Sequence, residues 1–257
     1  LSKDAPPSAG VDFRCTVCGA ANQCAEHAFS RESAFCRGCG STVRMRATIA
    51  ALSLGLYGRV YDIDHFPRRP RLRGLGMSDW DGYAVRLRRI LDYKNTHFEK
   101  RPKLDITAIP RDERGRNDFL ISIDVFEHVP PPVSCAFAGA AALLKPGGVL
   151  ILSVPYTLGD RTVEHFPDLH DYRVTEHHGV RRLVNRRRDG RTEVFDDLTF
   201  HGGRGMTLEM RVFCKRDVEQ QLAAAGFGEI TTVDAMPEFG IIYDNPCSRT
   251  FIARLAA

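Results

Sequence analysis

Two cysteine pairs carry the clearest chemistry in this 257-residue chain: Cys15-x2-Cys18 and, after seventeen intervening residues, Cys36-x2-Cys39. Each stands in a short turn with glycine close behind, CTVCG and CRGCG, so that backbone amides point at sulfur while both thiolates reach one ion. Four soft ligands close a tetrahedral site, so the expected ion is a structural Zn2+ with no position left for a catalytic water. A segment of roughly 25 residues cannot bury a core of its own, and the metal is expected to fold it. Cys24 and His27 lie between the knuckles, as loop residues or as part of a second, partial site. Cys135, Cys214 and Cys247 are scattered through segments that read as core, a pattern of metal binding in a reducing compartment rather than a disulfide framework.

A second constellation closes the apolar run DFLISIDVFEH, which ends on Asp124, Glu127 and His128. Further acids stand at the ends of other short apolar runs: Asp62 and Asp64 after RVYDI, Asp79 after RLRGLGMS, Asp105 within PKLDIT. Parallel strands would bring these carboxylates to one edge of a sheet, suited to a ligand with hydroxyls, an amine and a cationic centre. A phosphate would instead want glycine-rich turns and a helix N-terminus. Residues 156–212 form a long insertion in which His165, Asp168, His170, Asp171 and Tyr172 crowd together and His201-Gly202-Gly203 follows later. A metal held by His165, Asp168 and His170 is disfavoured, because Pro167 and the spacing match no known ligand pattern; His177-His178 reads as surface.

The elements that must position these groups alternate in type. STVRMRATIAALSLGL reads as a helix that Ser41 caps, coupling the ribbon to the body. RVYDI, RLRGLGMS, PKLDIT, FLISI and VLILSVP read as strands, with DGYAVRLRRILDY and SCAFAGAAALL as helices between them. Strands rich in Ile, Leu and Val that alternate with helices imply an α/β fold whose parallel sheet is covered on both faces. Ligands then bind at the carboxyl ends, where strand order reverses. RRLVNRRRDGR reads as a hairpin turning at Asp189-Gly190.

DFLISIDVFEHVPPP followed by AALLKPGGVLILSVPY resembles the class I S-adenosylmethionine-dependent methyltransferases, and is most similar to the broad bacterial type 11 group. The likeness covers about residues 59–155, with CKRDVEQQLAAAGFGEITTV similar to the family's last helix and strand. It implies a Rossmann-like sheet behind a small N-terminal zinc ribbon of four cysteines: 1–11 a flexible N-terminus, 12–40 the ribbon, and 41–257 the methyltransferase domain with its substrate-side insertion. CRGCGSTVRMR resembles an element that precedes some of these domains, in which a Cys-rich knuckle runs into an arginine-bearing helix. The turn after RVYDI departs from the family's acidic glycine-rich pattern, since VYDIDHFPRRP holds no glycine. GLGMSDWDG, in an alternative register, would be the cofactor loop. The resemblance implies Asp79 at the ribose hydroxyls, Asp62 or Asp64 near the methionine amine, Asp105 near the adenine amine, and Asp124 and His128 lining the pocket. Transfer to a hydroxyl needs a base within hydrogen-bond reach, and His165 or His201 is the candidate.

The function expected is S-adenosylmethionine-dependent O-methylation of a glycan or related small metabolite in the cytoplasm. EHFPDLHDYRV and FDDLTFHGGRGMTLEMRVF are similar to a subset found beside glycosyltransferases in glycan-building loci, which suggests polysaccharide biosynthesis. The chain starts at Leu, so it reads as an excerpt whose partners include other domains of a longer polypeptide, such as a glycosyltransferase. A ribosomal-RNA methyltransferase and a catalytically inactive binding or scaffold module are the alternatives. The net charge of +4 and basic runs without interleaved aromatics argue against nucleic acid, and no apolar run spans a bilayer.

Overall fold

The computed structural model describes residues 10–201 and 207–257; residues 1–9 of the expected N-terminal tail, and Gly202 and Gly203, lie outside them. The chain opens with the antiparallel pair β1 (Gly10–Arg14) and β2 (Ala21–Ala25), then runs through the cysteine knuckles into α1 (Val43–Tyr57). α1 is buried around most of its girth, because the ribbon covers one side and the sheet the other. Its Gly55 lets the helix lie against Val149, where an added Cβ would come within 2.7 Å of Cγ1. Ser41 does not cap α1: its hydroxyl faces the Cys15 and Cys39 sulfurs, and the N-cap Thr42 makes no side-chain cap.

The body is a six-stranded sheet. It is built from β3 (Arg73–Met77), α2 (Asp81–Ile90), β4 (Asp92–Thr96), β5 (Asn117–Ile123), α3 (Ser134–Leu143) and β6 (Leu144–Ser153). The insertion follows, with short strands β7 (Tyr156–Thr157) and β8 (Val163–Glu164) and a three-stranded sheet of β9 (Asp171–His177), β10 (Val180–Arg186) and β11 (Thr192–Phe195). It closes with β12 (Phe200–His201), β13 (Thr207–Leu208) and β14 (Arg211–Cys214). Then α4 (Lys215–Ala224), β15 (Phe227–Thr232) and β16 (Phe251–Leu255) complete the main sheet in the order β15-β16-β6-β5-β3-β4. β4, β3, β5 and β6 run parallel, while β16 is antiparallel to β6 and β15 to β16.

Side chains that alternate along the strands feed two cores, as period-2 geometry requires. Phe119, Ile121 and Ile151 face α1, α2 and the ribbon; Leu120, Leu150 and Leu152 face α3 and α4. Gly147, at φ 75°, turns the chain inside KPGG, and β6 leaves register with β5 there. The expected hairpin is present, with Arg186 paired to Thr192 and Gly190 at φ 86°. Among the described residues no helix is long and apolar enough to cross a membrane.

Two expected strands do not form. RVYDI is a strap: the Tyr61 amide donates to Ser53 Oγ, the Ile63 amide donates to Thr16 of the ribbon, and residues 63–65 make one 3-10 turn. PKLDIT yields only a single bridge from Lys103 to His97, because the Asp105 side chain takes the Thr107 amide and hydroxyl in a local turn that competes with a ladder. The first parallel strand is therefore β3, and β4 is the sheet's edge.

Candidate functional site at the sheet's carboxyl edge

From β3 the chain steps outward to β4 and then returns across β3 to β5, so strand order reverses between β3 and β5. Both strand ends at this switch point are left-handed without being glycine: Ser78 at φ 59° and Asp124 at φ 54°. Such conformations persist only where the surroundings hold them, and they cluster at ligand sites. Behind Ser78, Asp79 is buried and accepts hydrogen bonds from the Tyr83 and Tyr93 hydroxyls. Burial pushes its carboxyl up to about 7, against the pull of both phenols. Gly76 makes room for this cluster, since an added Cβ would collide with the Tyr93 hydroxyl oxygen and with Asp79 Oδ2.

Asp124 is held from the ribbon side. Arg31 Nη2 donates to its Oδ1 at 2.5 Å and to Ser153 Oγ at 3.0 Å, while Arg44 Nη1 lies 3.5 Å from Oδ2. Glu32 bridges the two guanidiniums from outside.

On the other flank the insertion folds over the turn after β5. The Met210 amide donates to the Glu127 carbonyl, and His128 Nδ1 donates to the Leu208 carbonyl at 2.9 Å. Buried Arg211 donates from Nη1 to the Phe126 and Val129 carbonyls and from Nε to Glu164. These ties bring Glu209 over the turn, where His165 Nε2 lies 2.9 Å from Oε1 and His201 Nε2 2.9 Å from Oε2. A carboxylate only accepts, so each imidazole donates through Nε2, which leaves Nδ1 as the acceptor of the neutral ring. The His128 and His201 rings are 5.8 Å apart. Beneath them Glu127 is fully buried and, among the described residues, neither carboxyl oxygen has a hydrogen-bond partner. Burial, then the charge of Asp124, pushes its pKa well above the usual carboxylate range. Burial lowers the pKa of His128.

The ribbon sulfurs fit a tetrahedral ion. Sulfurs at about 2.3 Å from zinc stand about 3.8 Å apart, and here Cys15–Cys39 is 3.7 Å and Cys18–Cys36 is 3.6 Å. The Val17 and Gly38 amides and Asn22 Nδ2 donate to these sulfurs. Among the described residues these four cysteines are the only group of three or more potential ligands whose donor atoms lie within 4.8 Å of one another. Cys24 and His27 stay outside it.

No family model matches the chain, and no curated protein matches it. Solved structures similar to it are S-adenosylmethionine-dependent methyltransferases. The fold is mixed α/β around a mostly parallel central sheet. One similar structure is an S-adenosylmethionine-dependent methyltransferase from Clostridium acetobutylicum: 13% identity, 72% of this chain and 84% of that one, TM-score 0.43. A second is the 1,6-didemethyltoxoflavin-N1-methyltransferase of Burkholderia thailandensis: 15% identity, 84% and 78% coverage, TM-score 0.43. A third is the sugar N-methyltransferase KedS8 from Streptoalloteichus: 16% identity, 74% and 83% coverage, TM-score 0.41.

Within this fold the expected site residues separate into groups. Asp79, Asp124 and His128 stand at the switch point, although Asp79 follows the first parallel strand rather than the second, and the acid that follows β4 is Glu99. Asp62 and Asp64 do not end a sheet strand: Asp62 pairs with Arg14 and His65, and Asp64 with Arg86. Asp105 is likewise in its own turn. His165 and His201 meet on one carboxylate. Glu209, Arg211, Arg31 and Arg44 were not anticipated; the charged pair Glu209 and Arg211, two apart between Leu208, Met210 and Val212, was the one available sign that this strand buries polar groups.

Proposed function

We propose that this chain transfers a methyl group from S-adenosylmethionine to a hydroxyl of a glycan or related small metabolite, in the cytoplasm and in polysaccharide biosynthesis. The observation that carries the reading is the His165–Glu209–His201 arrangement, which sits over the turn after β5 beside the reversal of strand order. The donor set at the rim suits the cofactor: carboxylates, guanidiniums and the Ser153 hydroxyl around two left-handed strand ends. Asp124, His128 and the Asp79 turn would hold it, with Glu99 at the ribose. When bound it supplies an electrophilic methyl on a sulfonium, whose positive charge disperses as transfer proceeds.

The chain's own residues align the acceptor and take its proton. Nδ1 of His165 or His201 accepts the hydroxyl proton as the oxygen–carbon bond forms, and Glu209 stabilises the resulting imidazolium through Nε2. The insertion excludes water through its small core of Phe166, Leu183, Leu208 and Met210. The RNA alternative loses support because three of the hairpin arginines are already paired: Arg181 with Glu176, Arg182 with Asp196, and Arg187 with Asp168 and Glu193.

Calorimetry with S-adenosylmethionine tests the first half, with binding at micromolar concentration expected. Mass spectrometry of hydroxylated acceptors incubated with enzyme and cofactor tests the second, as a product heavier by one methyl group. Silence in calorimetry at millimolar cofactor would favour the scaffold reading.

A further inference from the structure

The ribbon does more than cap the sheet. Arg31 lies between its strands and its second knuckle, and its carbonyl accepts from the Arg44 amide at the start of α1. Ser33, two residues on, accepts the Val43 amide through its carbonyl and donates its hydroxyl to the Ala28 carbonyl. The knuckle at Cys36 and Cys39 follows at once, so a metal held there would fix where Arg31 stands. Arg31 then crosses to the carboxyl ends of β5 and β6, where it meets Asp124 and Ser153.

Arg31, Asp124, Arg44 and Glu32 form a ring of alternating charge with no net surplus. A simple anion gains little from such a ring. A zwitterion suits it, because its carboxylate reaches the guanidiniums while its ammonium reaches Asp124. Donors are available: a guanidinium carries five N–H groups, and Arg44 Nη1, at 3.5 Å from Asp124, is too distant for a direct hydrogen bond. All three inner side chains, Arg31, Arg44 and Asp124, keep roughly a fifth to a quarter of their surface open, at 22%, 24% and 24%.

We infer that Arg31 of the zinc ribbon, with Arg44, binds the α-amino-acid end of the cofactor, so that the ribbon is a wall of the cofactor site and its metal is linked to cofactor affinity. This rests on the methyltransferase reading. The ligand pair that isolates it is S-adenosylhomocysteine and 5′-methylthioadenosine, which share the nucleoside and differ in the amino-acid end.

The experiment is calorimetry of both ligands with zinc-loaded wild type, Arg31→Ala and Arg31→Lys, with zinc content and Tm measured alongside. The expected result is a fall of about 10- to 100-fold in S-adenosylhomocysteine affinity for Arg31→Ala, as for loss of a charged hydrogen bond. Affinity for 5′-methylthioadenosine and zinc content stay unchanged, and Arg31→Lys recovers part of the loss because it keeps the charge without the fork. Should Arg31→Ala lose zinc or fold, Arg44→Gln is read in its place with the same ligand pair. Equal losses for both ligands, or no loss, overturn the inference while leaving the methyltransferase reading intact. Failure of wild type to bind either nucleoside overturns both.

Discussion

The two flanks of the turn after β5 are built on opposite terms. On the ribbon side the buried and half-buried charges are matched: Asp124 with Arg31 and Arg44, Glu32 with both, Asp62 with Arg14 and His65. Arg46, fully buried, donates to the Ala34, Ser41 and Gly240 carbonyls and lies over the Phe13 ring. On the insertion side Arg211 and Glu164 pair through Nε and Oε1 and His128 Nε2 stands 3.8 Å from Glu127 Oε1, yet among the described residues the buried Glu127 oxygens, Arg211 Nη2 and Glu164 Oε2 have no hydrogen-bond partner. Satisfied networks rigidify, whereas buried unsatisfied groups call for an explanation such as a catalytic role. One flank is a receptor, and the other holds polarity in reserve beside the imidazoles.

The most severe way to break this contrast is to deny the four cysteines the metal they are arranged to hold. Structural zinc binding is worth about 10 kcal/mol or more in small metal-folded units, comparable to a whole domain's stability. Chelation, or Cys36→Ser, is expected to unfold the ribbon and expose the Arg46 network. Limited proteolysis would then cleave between residues 10 and 42 while 73–153 stays protected. A ribbon that resists cleavage without metal would mean that its packing on α1 suffices.

Next in size is Gly76→Ala. The added methyl has no room between Tyr93 and Asp79, and overpacking of this kind costs about 1–3 kcal/mol. Urea unfolding should show it as a lower midpoint with an unchanged slope. On the insertion flank, Glu209→Gln keeps the shape but cannot stabilise an imidazolium. Methyl transfer is expected to fall about 100-fold with cofactor affinity unchanged, and the pH–rate profile should shift. A fall in cofactor affinity instead would merge the two flanks into one site.

What the sequence made legible follows from locality. The knuckles, the apolar run to Asp124 and the KPGG break are each encoded within a few residues, and each forms as a local element. The first strand was misplaced because RVYDI has strand-like composition, yet its backbone groups go to Ser53 and Thr16 rather than to a ladder, and those partners are distant in sequence. The expectations for Asp62, Asp64 and Asp105 followed from that register. The arginine ring joins residues 31, 32, 44 and 124, and the imidazole pair joins 165, 201 and 209. No local pattern announces contacts that only the folded chain brings together. His165 and His201 were legible as chemistry-bearing types, while the carboxylate that unites them was hidden in an alternating strand.

The effect expected to be smallest near pH 5 is also the sharpest on the contrast between flanks. Glu127 holds its proton in the folded state far above the usual carboxylate range, while in the unfolded chain it loses it near 4.5. Between those limits the native state binds more protons than the unfolded one, so this group's contribution to stability declines as pH rises above about 4.5. Glutamine cannot ionise, so Glu127→Gln removes that decline. Near pH 5 the variant should differ from wild type by less than about 1 kcal/mol, since one neutral polar group replaces another of the same shape. By about pH 8.5 the balance should move towards the variant. Urea midpoints at the two pH values read this directly. An equal difference at both would mean that Glu127 has a partner able to take its charge, and then the insertion flank would be matched like the ribbon flank, with no reserve of polarity beside the imidazoles.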